Sequence, residues 1–99
     1  MLINKKQDND NIILVLDGRL DTTTSPKLQE ALIPAIDEAE KIILDFEKLA
    51  YISSAGLRVL LMGQKTATSR NTDLVIKNVS EEIMEVFDMT GFTDMLVIE

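Results

Sequence analysis

A chain of 99 residues makes one domain with a real core of modest margin. Its 45% hydrophobic and 27% charged residues are the balance of a folded chain, not a disordered one. With 17 acids against 10 bases the formal charge is −7, which argues against sequence-independent nucleic-acid binding and adhesion to anionic lipid, and the lack of cysteine and histidine rules out disulfides, thiolate chemistry and histidine-based metal sites or triads.

Met1 to Lys6 holds no apolar core of signal-peptide length. No apolar run nears the ~18 residues of a membrane helix, so the expected location is cytoplasmic. Leu2 to Gln7 predicts an edge strand, its lysines suited to an unpaired border. Asp8 to Asn11 is a turn cluster. Ile12 to Leu16, five consecutive aliphatics, predicts a strand covered on both faces and joined to the first as an antiparallel hairpin. Asp17 to Thr24 reads as a polar loop with Gly18 as its permissive residue. Ser25 as N-cap and Pro26 at N1 open a helix with Leu28, Leu32, Ala35, Ile36 and Ala39 at helical spacing. Pro34 predicts a kink near Glu30 to Pro34, or two shorter pieces.

Ile42 to Leu44, closed by Asp45 and Phe46, predicts a buried strand reached by a right-handed crossover. Glu47 to Ile52 reads as the loop that delivers the next helix. That helix starts at the Ser53-Ser54 pair and reaches about Ser69, with Leu57, Leu60, Leu61 and Gln64 on one face. Gly63 costs ~1 kcal/mol against Ala in mid-helix, which predicts a close packing contact there. Asn71 to Asp73 is a turn and Leu74 to Ile76 a strand. Ser80 caps the last helix, Glu81 and Glu82 occupy its first turn, and Ile83, Val86 and Phe87 form its stripe. Gly91 is the expected C′ residue, with Phe92 folding back onto Phe87. Met95 to Ile98 predicts a final strand, and Met62, Met84, Met89 and Met95 read as core filler. The order β-β-α-β-α-β-α-β gives a single α/β domain over residues 1–99, its mixed sheet mostly parallel.

The central stretch is Tyr51-Ile52-Ser53-Ser54-Ala55-Gly56-Leu57-Arg58-Val59-Leu60-Leu61. It sets two hydroxyls beside a glycine at a helix N-terminus, whose unpaired N–H groups tolerate a phosphate. One serine suffices as a cap. The second is redundant for that task, and Ala55-Gly56 gives a low profile that an enzyme could approach. Asp21 and Asp45 are expected nearby if the strand ends cluster, while Asp17 reads as a turn former. These acids lack a separate activating base, so no catalytic residue is assigned. No metal or cofactor is expected, and no usable glycine-rich phosphate loop is present.

That stretch, together with Asp17-Gly18-Arg19-Leu20-Asp21, resembles the STAS domain, named for sulfate transporters and anti-sigma-factor antagonists. The resemblance extends over almost the whole chain. It implies the same element order and, in most members, a further helix after the last strand. The 99 residues do not supply that helix, so one sheet face is expected to be thinly covered, which leaves room for self-association; the expected state is a monomer or weak dimer. In small stand-alone members a kinase partner phosphorylates a serine in this loop and switches partner binding. Aligned on Gly56, the commoner family loop Asp-Ser-Ser/Thr-Gly places its hydroxyl residues on Ser54 and Ala55 and its Asp on Ser53. Ser54 is therefore the implied acceptor, with Ser53 as N-cap and second choice.

The resemblance implies an anti-sigma-factor antagonist that binds an anti-sigma factor with serine-kinase activity in its bare form and is released by phosphorylation. A PP2C-type phosphatase is a further implied partner. The implied partner surface comprises Asp21, Thr22, Asp45, Ser53, Ser54, Ala55, Gly56, Leu57 and Arg58. Neither nucleic-acid binding nor membrane insertion is expected. The alternative is a non-switching accessory subunit of a membrane transport complex, in which the serines only cap.

Overall fold

Alternating aliphatics draw four strands into one sheet. The computed structural model describes residues 1–99. Strands β1 (Leu2–Asp8) and β2 (Asn11–Leu20) form the antiparallel hairpin, and β3 (Lys41–Ile52) and β4 (Asp73–Lys77) add in parallel, in the order β1-β2-β3-β4. Helix α1 (Ser25–Ile36) links β2 to β3, α2 (Ser54–Ser69) links β3 to β4, and α3 (Glu81–Thr90) follows β4. A single 3-10 turn, Phe92–Asp94, comes next. No helix is long and apolar enough to cross a membrane.

Successive right-handed crossovers between neighbouring parallel strands put their helices on the same face of a sheet. Leu14, Leu16 and Leu20 of β2 and Leu44, Phe46 and Ile52 of β3 are buried in one cluster with Leu28 and Leu32 of α1 and Leu57 and Leu60 of α2. Phe87 of α3 closes this core, fully buried, its ring centroid 6.4 Å from that of Phe46. The opposite face is thinner: Ile13, Val15 and Ile43 are only half-buried. The expected double covering of β2 is thus corrected to cover on one side.

Both polar stretches that flank the site are strand, not loop. Asp17 to Leu20 continues β2, and Glu47 to Ile52 continues β3. The pairing slips twice: Val15 faces Asp45 but Asp17 faces Lys48, and Gly18 faces Leu49 but Arg19 faces Tyr51. Each slip adds one residue to β3, the mark of a bulge. Burial along β3 accordingly steps by three, through Phe46, Leu49 and Ile52, which hides the strand from a period-two reading.

Other expectations hold or shift for local reasons. Ser80 Oγ accepts from the Ile83 N–H at 3.2 Å, and Gly91 ends α3 at φ 78°. Ser25 is not the N-cap of α1. It is buried within the first turn, and its hydroxyl donates to the Asp21 carbonyl. Pro34 does not split α1, because it sits in the last turn, where its missing N–H concerns only the carbonyl of Glu30, an exposed residue. Met95 to Ile98 is not a regular strand. Met95 and Leu96 follow the 3-10 turn as turn and bend, and one parallel bridge joins Ile98 to Ile76. The methionines are not core filler: Met89, Met95 and Met62 are 85%, 48% and 37% exposed, and Met84 is half-buried at the core's margin.

Gly63 is where α2 meets α1. A Cβ there would lie 2.5 Å from Leu32 Cδ2 and 3.5 Å from Leu74 Cδ2. Leu32 is fully buried, so its side chain can give way only by displacing packed neighbours. Gly63→Ala should therefore lose about 1–3 kcal/mol by overpacking, more than offsetting its gain in helix propensity of ~1 kcal/mol. Urea midpoints check this, and a raised midpoint would contradict it.

Candidate functional site

The site stands at the tip of a two-stranded extension. β4 ends at Lys77, opposite Asp45. From Phe46 to Ile52, β3 runs on beside β2 alone, and Leu20 and Ile52 are the last pair. Beyond them the Ser53 N–H donates to the Leu20 carbonyl at 2.9 Å. Ser53 is extended, at φ −101° and ψ 174°, the geometry of an N-cap. Its Oγ accepts from the Gly56 N–H at 3.4 Å, and its carbonyl accepts from the Leu57 N–H at 3.0 Å. Ser54 is then the first residue of α2, exposed and without a side-chain hydrogen bond to the protein. The two hydroxyls are divided: one caps, the other faces solvent.

Gly56 fixes this arrangement. A Cβ at Gly56 would meet Leu20 Cγ at 2.7 Å, Leu20 Cδ2 at 2.9 Å and Ile52 Cγ1 at 3.0 Å. The glycine serves close approach, not an unusual φ. Gly56 and Leu57 are buried, so they position the surface and do not form it. Ala55 is half-buried and Arg58, one turn beyond Ser54, is exposed. Arg58 forms no ion pair.

Asp21 lies beside this turn, one residue past Leu20. Its Oδ1 accepts from the Thr23 hydroxyl at 2.8 Å, the Thr23 N–H at 3.0 Å and the Thr24 N–H at 3.1 Å. These bonds favour the carboxylate. The Thr23 hydroxyl is the largest influence, and together they hold the Asp21 carboxyl below its usual range against an opposing desolvation effect. In return the Asp21 N–H donates to Thr24 Oγ1 at 2.8 Å. Asp21, not Ser25, thus organises the entry to α1. Thr22 is exposed at the apex of the same turn.

Asp45 is not part of the site. It faces Val15, six β2 positions from Asp21, or ~20 Å at ~3.3 Å per residue. Its Oδ1 instead accepts from the Glu47 N–H and Asn78 Nδ2, each at 3.0 Å. The strand ends do not cluster because β3 outruns β4. Asp17 is likewise a strand residue next to a register slip, not a turn former. At the tip the structure adds a pair not expected from the sequence, Arg19 over the Tyr51 ring with its guanidinium 4.2 Å from the ring centroid. Its signal was cross-strand adjacency, legible only once both strands reach the tip.

No groove opens on Ser54. The largest, about 530 Å³, lies toward the far end of α2 and is lined by Lys41, Gln64, Thr68 and Asn71 among others. No three acidic side chains converge as a metal site would need.

A family model described as "STAS domain" matches residues 3–99. The anti-sigma-B factor antagonist of Listeria monocytogenes is 30% identical over 96 residues, 96% of this chain and 84% of that protein. The unphosphorylated form of the anti-sigma factor antagonist SpoIIAA has a similar fold, with TM-score 0.78 and 18% identity over 99% of this chain and 87% of that one. The phosphorylated form of SpoIIAA, described as a Bacillus cell fate determinant, is similar at TM-score 0.77 and 19% identity over 99% and 91%.

The division of the serines predicts unequal effects on stability. Ser53→Ala should cost about 0.5–1 kcal/mol, the low end for a cap because its bond is long, and Ser54→Ala should stay within about 0.5 kcal/mol of wild type. Equal losses in urea denaturation would contradict the assignment. For Asp21, the folded carboxyl titrates below its usual 3.8. The resulting stability is present above that value and lost as pH falls through the folded one. Wild type should therefore be more stable than Asp21→Asn at pH 7, with a gap that narrows at low pH. A gap independent of pH would contradict this.

Proposed function

The chain belongs to the STAS domain family, and on that premise we propose that it is an anti-sigma-factor antagonist switched by phosphorylation of Ser54. The observation that carries this reading is the free hydroxyl of Ser54, exposed on the first turn of α2 while Ser53 provides the cap. Unmodified, the turn around Asp21 and Thr22 and the start of α2 form the surface that docks on an anti-sigma factor with serine-kinase activity. Phosphorylation adds about −1.5 to −2 charge. The helix N-terminus accommodates that charge within the domain. The likeness of this fold to both forms of SpoIIAA supports a change of surface over a change of fold.

A partner surface meets a different balance. A dianion placed in a desolvated interface beside Asp21 needs a cationic counterpart or the complex separates. Each ~1.4 kcal/mol of repulsion is a decade of affinity, so a few kcal/mol suffice for release. A PP2C-type phosphatase would restore the bare form, and the cycle would run in the cytoplasm. The chain itself has no catalytic role in this scheme.

Incubation with its kinase partner and ATP should add one phosphate to the wild type and to Ser53→Ala, and none to Ser54→Ala. Intact labelling of Ser54→Ala, read by mass spectrometry, would move the acceptor elsewhere.

A further inference from the structure

In a chain of net charge −7, α2 is the one helix without an acid. Its 16 residues contain Arg58 and Lys65 and no Asp or Glu. Neither cation is paired, since the three ion pairs of the protein use Lys5, Arg70 and Lys77. Ser54, Arg58, Leu61 and Lys65 recur at steps of four, three and four, which sets them on one face, opposite the buried Leu60, Gly63 and Ala67. Leu61 is half-buried between the cations and Met62 beside it is 37% exposed. At the foot of the stripe Met95, 48% exposed, shares a shallow groove with Leu61 and Lys65.

We infer that this stripe is part of the partner interface and that its complement is an acidic protein surface with an apolar centre. The inference rests on the proposed antagonist function and gives that partner its chemistry. Two unpaired cations attract acids, and the half-buried Leu61 with the exposed Met62 beside it offers adaptable apolar contact. Ser54 stands at the head of the same stripe. A phosphate there brings about −1.5 to −2 charge against the +2 of Arg58 and Lys65. Modification then removes the attraction itself, and release requires no refolding. Asp94 is next to Met95 in sequence, Asp21 lies beside the head of the stripe, and α2 itself contributes no acid to it. Anionic lipid is a poorer occupant, because two cations do not overcome the long-range repulsion of a net acidic chain.

The test uses the purified anti-sigma factor of the same host as probe. Arg58→Glu and Lys65→Glu should each raise Kd about tenfold at low salt, and added salt should weaken wild-type binding more than binding by either variant. Lys6→Glu on β1 should leave Kd within about twofold. Arg58 and Lys65 are exposed, so circular dichroism should report an unchanged fold. Wild-type-like binding by both charge reversals would overturn this inference and leave the antagonist function standing. No binding by the wild type at any salt would overturn both. Charge-dependent binding to phosphatidylserine vesicles, or charge-dependent self-association in sedimentation, with the anti-sigma factor indifferent to the same substitutions, would reassign the stripe and overturn the inference.

Discussion

The absence of a side chain at Gly56 is the constraint on which the site depends. The first turn of α2 rests directly on Leu20 and Ile52, the last pair of the β2–β3 extension, at distances that leave no room for a Cβ. That contact fixes where the helix begins. Ser53, still in extended geometry and bonded to the Leu20 carbonyl, is committed to capping. Ser54 then falls on the first helical turn with nothing to bind inside the domain. A one-residue shift of the helix start would exchange the two roles. The chemistry of the loop therefore follows from a packing contact beneath it, not from the serines alone.

The two slips in β2–β3 pairing add a second level of control. By inserting two residues into β3 they bend and lengthen the strand beyond β4. The start of α2 is thereby carried clear of α3 and of the β4 end of the sheet, and Asp21 is the acid left at its side. The opposite pole of the domain has different work. There Thr72 Oγ1 donates to the Ile36 carbonyl at 3.0 Å, securing the end of α1, while Phe46 and Phe87 close the core between the two ends.

What could be read from the sequence follows from how local each signal is. The caps at Ser53, Ser80 and Gly91 depend on a few neighbouring residues and were legible. So were the aliphatic runs Ile12–Leu16 and Ile42–Leu44, and Gly63, whose mid-helix cost demanded a packing reason. The outer halves of β2 and β3 were not, because a glycine and two bulges break the alternation that marks a strand. A β3 that ended near Phe46 would set Asp45 beside the acceptor loop; the strand's continuation to Ile52 separates them. Ser25-Pro26 looked like a helix start because the true organiser, Asp21, acts through a turn of threonines upstream. Met62, Met84 and Met89 fall off the buried faces of α2 and α3, which apolar character alone does not reveal, and Met95 lies where the expected final strand does not form.

The central claim is that one exposed hydroxyl changes the sign of a protein–protein attraction while the fold beneath it stays fixed. It is tested most directly by installing phosphoserine at position 54 during translation and comparing, by calorimetry, the affinity of the host's anti-sigma factor for the modified and bare proteins. The account predicts tight binding of the bare form and a loss of about a hundredfold or more in the modified one, equivalent to ~2.7 kcal/mol, with closely similar amide spectra away from the first turn of α2. Equal affinity for the two forms would contradict it.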